Sequence, residues 1–156
     1  MALSKIDGTN FIEGTVPSTV APGAGKVLQV VSATSTDQQT TTSGTYVAST
    51  GFTASITPSS TSSKILVSVM SNIRSSSDAS YTLYKGATNL AGTGSFVQIY
   101  AGGADIRQLM TINYLDSPAT TSSTTYTLYF LAGAGTAYIN QEGTKQGQII
   151  LTEIGA

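Results

Sequence analysis

The sequence predicts an all-β protein: an antiparallel β-sandwich preceded by an extended N-terminal arm. From residue 26 onward, short runs rich in β-branched and aromatic residues alternate with clusters of Gly, Ser, Thr and Asn, at the spacing typical of a sandwich. Residues 1–25 include Pro17 and Pro22 and hold neither the period of a strand nor that of a helix. We therefore divide the chain into an attachment arm, 1–25, and a sandwich domain, 26–156.

Four strands are predicted in the first half of the sandwich domain. Every second residue from Ile65 to Val69 is apolar and β-branched, which is the pattern of a strand with one buried face. The segment 57–63 sets Pro58 among serines and threonines and is predicted to be a turn. The stretches 34–43 and 74–80 are interpreted as loops because each lies between two strands. The four strands are Val27–Ala33, Thr45–Ile56, Ile65–Ile73 and Tyr81–Lys85.

Five further strands follow a predicted hairpin bend at 85–89, and no helix is predicted. The glycine pairs at 92–94 and 133–135 lack the third glycine of a dinucleotide-binding turn, and Val27 stands where a phosphate loop needs Ser or Thr. All three are interpreted as turns. The five strands are Ser95–Tyr100, Leu109–Leu115, Thr124–Leu131, Thr136–Ile139 and Gln148–Ile154.

The composition argues against an enzyme. The chain has no His and no Cys, which excludes Ser-His-Asp and Cys-His catalysis and ordinary zinc sites. Its eight acidic residues are scattered without the spacing of a calcium loop. Asp105 and Glu142 could meet as a glycosidase pair, but we expect both in solvated loops, with Asp105 and Arg107 forming a surface ion pair. The chain is therefore predicted to be non-enzymatic, with no cofactor and no metal.

Charge and hydropathy limit the partners. Seven basic and eight acidic residues leave no basic stripe for nucleic acid, and no apolar run approaches the length of a membrane span. No secretory signal is visible at the N-terminus. Only 10% of the residues are charged, so self-repulsion is weak and the surface favours association. We expect an oligomer.

The tyrosines suggest where copies meet. In Thr124–Leu131 both alternating faces are apolar, since Tyr129 and Leu131 lie opposite the core-facing set. Tyr84 repeats this pattern on an earlier strand. A sandwich strand buries one face only, so Tyr84, Tyr129 and Leu131 are predicted to form a subunit interface. The alternative is that these rings lie under loops of their own subunit.

Exposed tyrosines also suit a glycan, because rings stack on sugar faces and amides bind hydroxyls. Tyr100 beside Gln98, and Tyr138 beside Asn140, fit that use. The absence of Trp weakens the hypothesis.

The arm contains isolated apolar residues, too sparse for a core and too apolar for a simple linker. We expect these residues to become ordered on a neighbouring protein. They are Ile6, Phe11, Ile12 and Val16.

Several β-strand segments resemble small structural proteins of tailed bacteriophages, especially those of marine and cyanobacterial hosts. The similar segments are 25–32 (GKVLQVVS), 56–67 (ITPSSTSSKILV), 117–128 (from SP to TTYTL) and 150–154 (ILTEI). The resemblance spans about residues 25 to 154 and contains no active-site motif. It implies a virion protein assembled in the host cytoplasm, with a jelly-roll sandwich that forms a homotrimer.

The resemblance leaves two roles open. One is a capsid decoration (cement) protein whose arm and body bind the major capsid protein or another virion protein. The other is a tail-fibre or head-fibre domain that binds a host-surface glycan. Because a short arm rather than a long fibre shaft precedes the domain, we expect the decoration role.

Overall fold

The computed structural model describes residues 25–141 and 145–155, and within them it contains eleven β-strands and no helix. All nine predicted strands are present, with ends that differ by a few residues. Two very short strands, β2 and β6, were not predicted. The strands are β1 (Val27–Ser35), β2 (Gln39–Thr41), β3 (Val47–Ile56), β4 (Lys64–Ser75), β5 (Ala79–Lys85), β6 (Thr88–Asn89), β7 (Val97–Ile99), β8 (Ile106–Asp116), β9 (Thr124–Ala132), β10 (Ala137–Ile139) and β11 (Gly147–Ile154).

Two antiparallel sheets form a sandwich. In the first sheet, β8 pairs with β4 along its whole length, while β11 and β10 pair with the two halves of the other edge of β4. Strands β1 and β2 lie outside β11 and β10 respectively. In the second sheet the order is β3, β9, β5, with β6 and β7 on the remaining edge of β5. The predicted antiparallel sandwich is confirmed.

The strand order is that of a jelly roll. Reading across the sheets gives β1-β11-β4-β8 and β3-β9-β5-β7. This arrangement of eight strands in two antiparallel sheets follows from two Greek-key connections. The short β10 and β2 extend the β11 and β1 positions of the first sheet.

The core lies between the sheets and follows the predicted alternation. Ile65, Val67 and Val69 of β4 are at most 1% exposed, because every second residue of the strand points at the opposite sheet. Tyr81 and Phe130 stack in the core with ring centroids 6.3 Å apart. Such burial of large apolar side chains contributes about 1.5–3 kcal/mol per residue.

The two ends of the sandwich differ. At one end the chain enters β1 and leaves β11, where the Gly25 amide donates to the Gly155 carbonyl at 2.6 Å and the Gly155 amide donates to the Lys26 carbonyl at 2.8 Å. We call this the arm end; the turns 57–63 and 117–123 lie there too. The opposite end, here called the far end, is formed by the connecting segments 42–46, 76–78, 100–105 and 133–136.

Candidate functional site

The predicted attachment residues of the arm, Ile6, Phe11, Ile12 and Val16, lie outside the described residues. The structure does describe the joint between the arm and the sandwich. There Glu153 of β11 is fully buried. Its carboxylate accepts hydrogen bonds from the Gln29 side-chain amide at 2.6 Å, from the Ser59 backbone amide at 2.8 Å and from the Ser59 hydroxyl at 2.6 Å. One carboxylate thus connects β1, β11 and the turn 57–63.

These hydrogen bonds keep Glu153 ionised. Burial alone raises the pKa of a carboxyl group, because it penalises the charged form. The hydrogen bonds from Ser59 and Gln29 outweigh that effect and lower the pKa of Glu153 to about 2. The arm therefore enters the sandwich beside a fixed negative charge held by neutral donors.

The outer face of the second sheet carries the tyrosines that were predicted to meet another subunit. The rings of Tyr84 and Tyr129 stack with centroids 3.9 Å apart, and Tyr46 meets Tyr84 edge-on at 6.2 Å. The Tyr46 hydroxyl donates to the Gly94 carbonyl at 3.2 Å. Tyr84 and Tyr129 thus partly cover each other within one subunit, and Leu131 is half-buried. The apolar second face of β9 has an explanation inside the subunit, and the interface at this face stays a prediction.

Hydroxyl pairs occupy the rest of that face. Thr53 and Thr127 share a hydrogen bond of 2.9 Å across β3 and β9, and Ser55 and Thr125 share one of 2.7 Å. Such cross-strand pairs stabilise neighbouring strands by about 0.2–1 kcal/mol each.

The outer face of the first sheet is more apolar than the sequence reasoning anticipated. Six of the seven large apolar residues that the described chain leaves exposed lie on its strands. The exposed fraction is 59% for Val30, 51% for Leu115 and 59% for Leu109. The signal was present in the sequence, since the predicted strand Leu109–Leu115 is also apolar on both faces. The six residues are Val27, Leu28, Val30, Met70, Leu109 and Leu115.

An ionic cluster lies near the far end. The Arg74 guanidinium donates to Asp105 at 2.7 Å, and Arg107 lies 3.5 Å from the same carboxylate. The predicted pair of Asp105 with Arg107 is therefore confirmed, and Arg74 joins it. The hydrogen bond from Arg74, with a further contribution from Arg107, lowers the pKa of Asp105. The other carboxylate of the proposed glycosidase pair, Glu142, lies outside the described residues.

The predicted glycan contacts separate into different environments. Tyr100 is 72% exposed at the far end, and its hydroxyl donates to the Gln98 side chain at 3.1 Å. Tyr138 is half-buried on β10, with the Arg74 guanidinium carbon 4.7 Å from its ring centre. Tyr100 follows a strand of the second sheet, whereas Tyr138 belongs to the first.

Asn140 is not available to a glycan in this structure, which corrects the prediction. It is fully buried. Its amide nitrogen donates to the Ser35 carbonyl at 2.6 Å, and its amide oxygen accepts from the Ser71 hydroxyl at 3.0 Å. Its φ of 50° lies in the left-handed region that Asn tolerates better than most residues. The side chain therefore fixes the turn after β10 rather than facing solvent.

A small open cavity of about 190 Å³ lies beside the ionic cluster, between β8 and the turn after β10. Its lining is mainly polar and includes the cationic side chains of Arg107 and Lys145. The cavity is smaller than the roughly 300–1,000 Å³ of pockets for drug-sized ligands. Its volume therefore suits a small ligand with a single ring. Among the described residues, the other polar lining residues are Asn72, Gln108 and Gln141.

Residues 25–141 and 145–155 contain no group of three or more His, Cys, Asp or Glu placed to hold a metal ion. The same residues form no helix of the length and hydropathy needed to cross a membrane. In comparisons with known proteins, no protein-family model matched the chain, and the search of curated proteins gave no match. The bacteriophage resemblance therefore rests on the segments quoted above.

Proposed function

We propose that this chain is a non-enzymatic structural protein of a bacteriophage virion, a trimeric capsid decoration protein that stabilises the shell through its arm and sandwich. The observation that best supports this proposal is the geometry of the arm end. The arm joins the sandwich beside the terminal strand β11, and among the described residues the fully buried apolar core runs from Phe52 to Leu151, with Val31, Ala33 and Val47 packed against it. The arm can therefore bind a neighbouring protein while the body remains folded.

The arm is long enough to reach across a subunit boundary. At roughly 3.3–3.6 Å per residue, the 24 residues before Gly25 would span about 80 Å if they were fully extended. Burial of Phe11, Ile12 and Val16 against a capsid subunit would contribute about 1.5–3 kcal/mol each before the cost of ordering the chain. Binding that bridges two shell subunits opposes their separation under the pressure of the packaged genome.

The test is deletion of residues 1–24. The truncated protein is expected to keep the circular dichroism spectrum and unfolding temperature of the full chain, because residues 25–155 already supply a continuous buried core. It is also expected to lose the ability to raise the temperature at which particles release DNA. A truncated protein that protects particles as well as the full chain does would contradict the proposal. So would a full-length protein that leaves the release temperature unchanged and instead blocks phage adsorption to host cells.

The second candidate function is glycan binding at the far end. Tyr100 offers an exposed ring there. A separate cavity, between β8 and the turn after β10, is lined by Arg107 and Lys145. Cationic and amide side chains around a cavity of this size favour an acidic sugar over a neutral one. This end lies opposite Gly25, where the chain enters the sandwich, so it would face the host if the arm held the particle.

Calorimetric titration with an oligosaccharide of uronic acids tests this candidate. Specific binding that Arg107→Gln weakens, and that Thr53→Asp on the other sheet leaves unchanged, would support it. Binding that is absent, or equally strong for Arg107→Gln, would exclude the cavity as the site.

A further inference from the structure

We infer that the outer face of the first sheet, formed by β1, β11, β4 and β8, is the surface through which copies of this chain contact one another. This inference rests on the proposed self-association and names the surface on each copy that other copies contact. It places the contact on the opposite sheet from the tyrosines that the sequence indicated.

The apolar residues of this face are aligned by strand register. Val30 lies opposite Thr152, Thr152 opposite Leu66, and Leu66 opposite Leu115. Directly opposed residues of an antiparallel sheet point to the same side. The row therefore carries an exposed aliphatic side chain at each edge of the sheet and the half-buried Leu66 between them.

Further apolar groups continue the same surface. The register places Ile150 opposite Ser68, Met70 opposite Thr111 and Leu109 opposite Asn72. Single exposed aliphatic residues are common, but here they recur in successive rows of one sheet face, with Ser, Thr, Asn and Gln between them, which favours an interaction surface.

Charge makes this face compatible with a second copy of itself. In the outward-facing rows from Leu66 to Asn72 of β4, no described residue of the four strands is charged. Asp116 and Glu153, which lie opposite Ile65, are buried in the sandwich. The polar members of the outward-facing rows are Ser, Thr, Asn and Gln, which both donate and accept hydrogen bonds. Two such faces meet without like-charge repulsion, whereas a strongly charged partner would find no opposite charge.

The area is sufficient for association. Four strands spaced about 4.8 Å apart, over a length of about 25–30 Å, give about 500 Å² per copy. Two copies together bury about 1,000 Å², the approximate lower limit for a specific interface. The outer face of the second sheet has fewer groups available to a second copy, because its hydroxyls already pair with one another and its tyrosine rings stack within the subunit.

The test places the same number of new charges on each face of the full chain. Val30→Asp/Leu115→Asp alters two residues that are more than half exposed, so the fold should tolerate both changes. Ala48→Asp/Thr125→Asp is the matched control on the second sheet, where Ala48 lies opposite Tyr129. Sedimentation equilibrium at tens of micromolar gives the mass, and circular dichroism reports the fold.

The wild type is expected to sediment at a multiple of the 16.0 kDa chain mass. Val30→Asp/Leu115→Asp should sediment as a folded monomer, and Ala48→Asp/Thr125→Asp should keep the wild-type mass. If the first variant does not fold, the milder Val30→Thr/Leu115→Thr should raise the dissociation constant by about tenfold. The inference is overturned if the wild type is monomeric, if the control dissociates instead, or if neither first-sheet variant weakens association.

Particle heating separates this result from the proposed function. Suppose that the wild type is oligomeric and the first-sheet variant is monomeric, but that the wild type does not raise the DNA-release temperature. This result would confirm the interface and contradict the decoration role. A wild type that protects particles, with a first-sheet variant that remains oligomeric, would contradict the interface alone.

Discussion

Two buried carboxylates near the arm end are held in different ways. Glu153 receives hydrogen bonds from neutral donors only. Asp116 instead pairs with Lys85 at 2.9 Å and accepts a hydrogen bond of 2.6 Å from the Tyr126 hydroxyl. Burial and the neighbouring Asp116 raise the pKa of Tyr126, so it remains a donor over the ordinary pH range. Because a buried charge without partners is costly, each carboxylate fixes the segments that supply its donors.

Glu153 should make the fold sensitive to acid. Its pKa is about 2 in the folded chain and 4.5 for an unperturbed Glu, so the unfolded state takes up the proton first as the pH falls. Its contribution to stability is therefore complete above about pH 5 and is lost between pH 5 and pH 2. Glu153→Gln should be less stable than the wild type at pH 7 but lose less stability over that window. Urea unfolding at several pH values measures this, and parallel pH profiles for both proteins would contradict it.

At the scale of the strands, the alternation of apolar residues was enough to find every element of four residues or more. The two missed strands, β2 and β6, have three and two residues. Each is defined by pairing with a distant or neighbouring strand rather than by its own composition. Pairing also explains the strand ends: β4 continues through Ser75 because Ser75 lies opposite Ile106 of β8. No local pattern in the Ser-rich segment 74–80 indicates that partner.

The start of β11 requires a residue without a side chain. A Cβ atom added at Gly147 would overlap the ring of Phe52 and lie 2.6 Å from the Asn140 amide oxygen. Phe52 is fully buried and cannot move aside freely. Gly147→Ala should therefore destabilise the fold by about 1–3 kcal/mol, as overpacking of a core does.

Gly44→Ala is the control for Gly147→Ala, since the nearest atom to its added Cβ is 4.0 Å away. Thermal unfolding of the two variants and the wild type makes the comparison. Equal unfolding temperatures for both variants would show that β11 can shift to accept the extra methyl group.

At the scale of the whole molecule, the fold could be predicted from the sequence, but which outward-facing residues stay exposed could not. Asn140 has the composition and position of an exposed turn residue, yet it bonds to Ser35, which is 105 residues away in the chain. Tyr129 and Leu115 both lie on strands with two apolar faces. Only the folded arrangement shows that Tyr129 stacks on Tyr84 whereas Leu115 remains exposed. Burial of an outward-facing residue depends on its neighbours across the sheet, which periodicity does not reveal.

The proposed interface also predicts how assembly responds to salt. Contacts between charged surfaces weaken as salt screens them, but apolar contacts do not. The dissociation constant between copies should therefore stay the same or fall when sodium chloride is raised from about 0.1 M to about 1 M. Sedimentation at both salt concentrations provides the measurement. A dissociation constant that rises about tenfold would indicate an interface built on ion pairs instead.

The joint at the arm end also determines how the protein would bear tension. The arm leads directly into β1, whose ladder with β11 contains eight residue pairs. The hydrogen bonds of an antiparallel ladder run perpendicular to the strands. A pull on the arm along the strand axis therefore loads these bonds in shear, all at once, rather than peeling them apart one by one. If the arm binds a capsid as proposed, swelling of the shell would therefore distribute its force along a whole edge of the sheet.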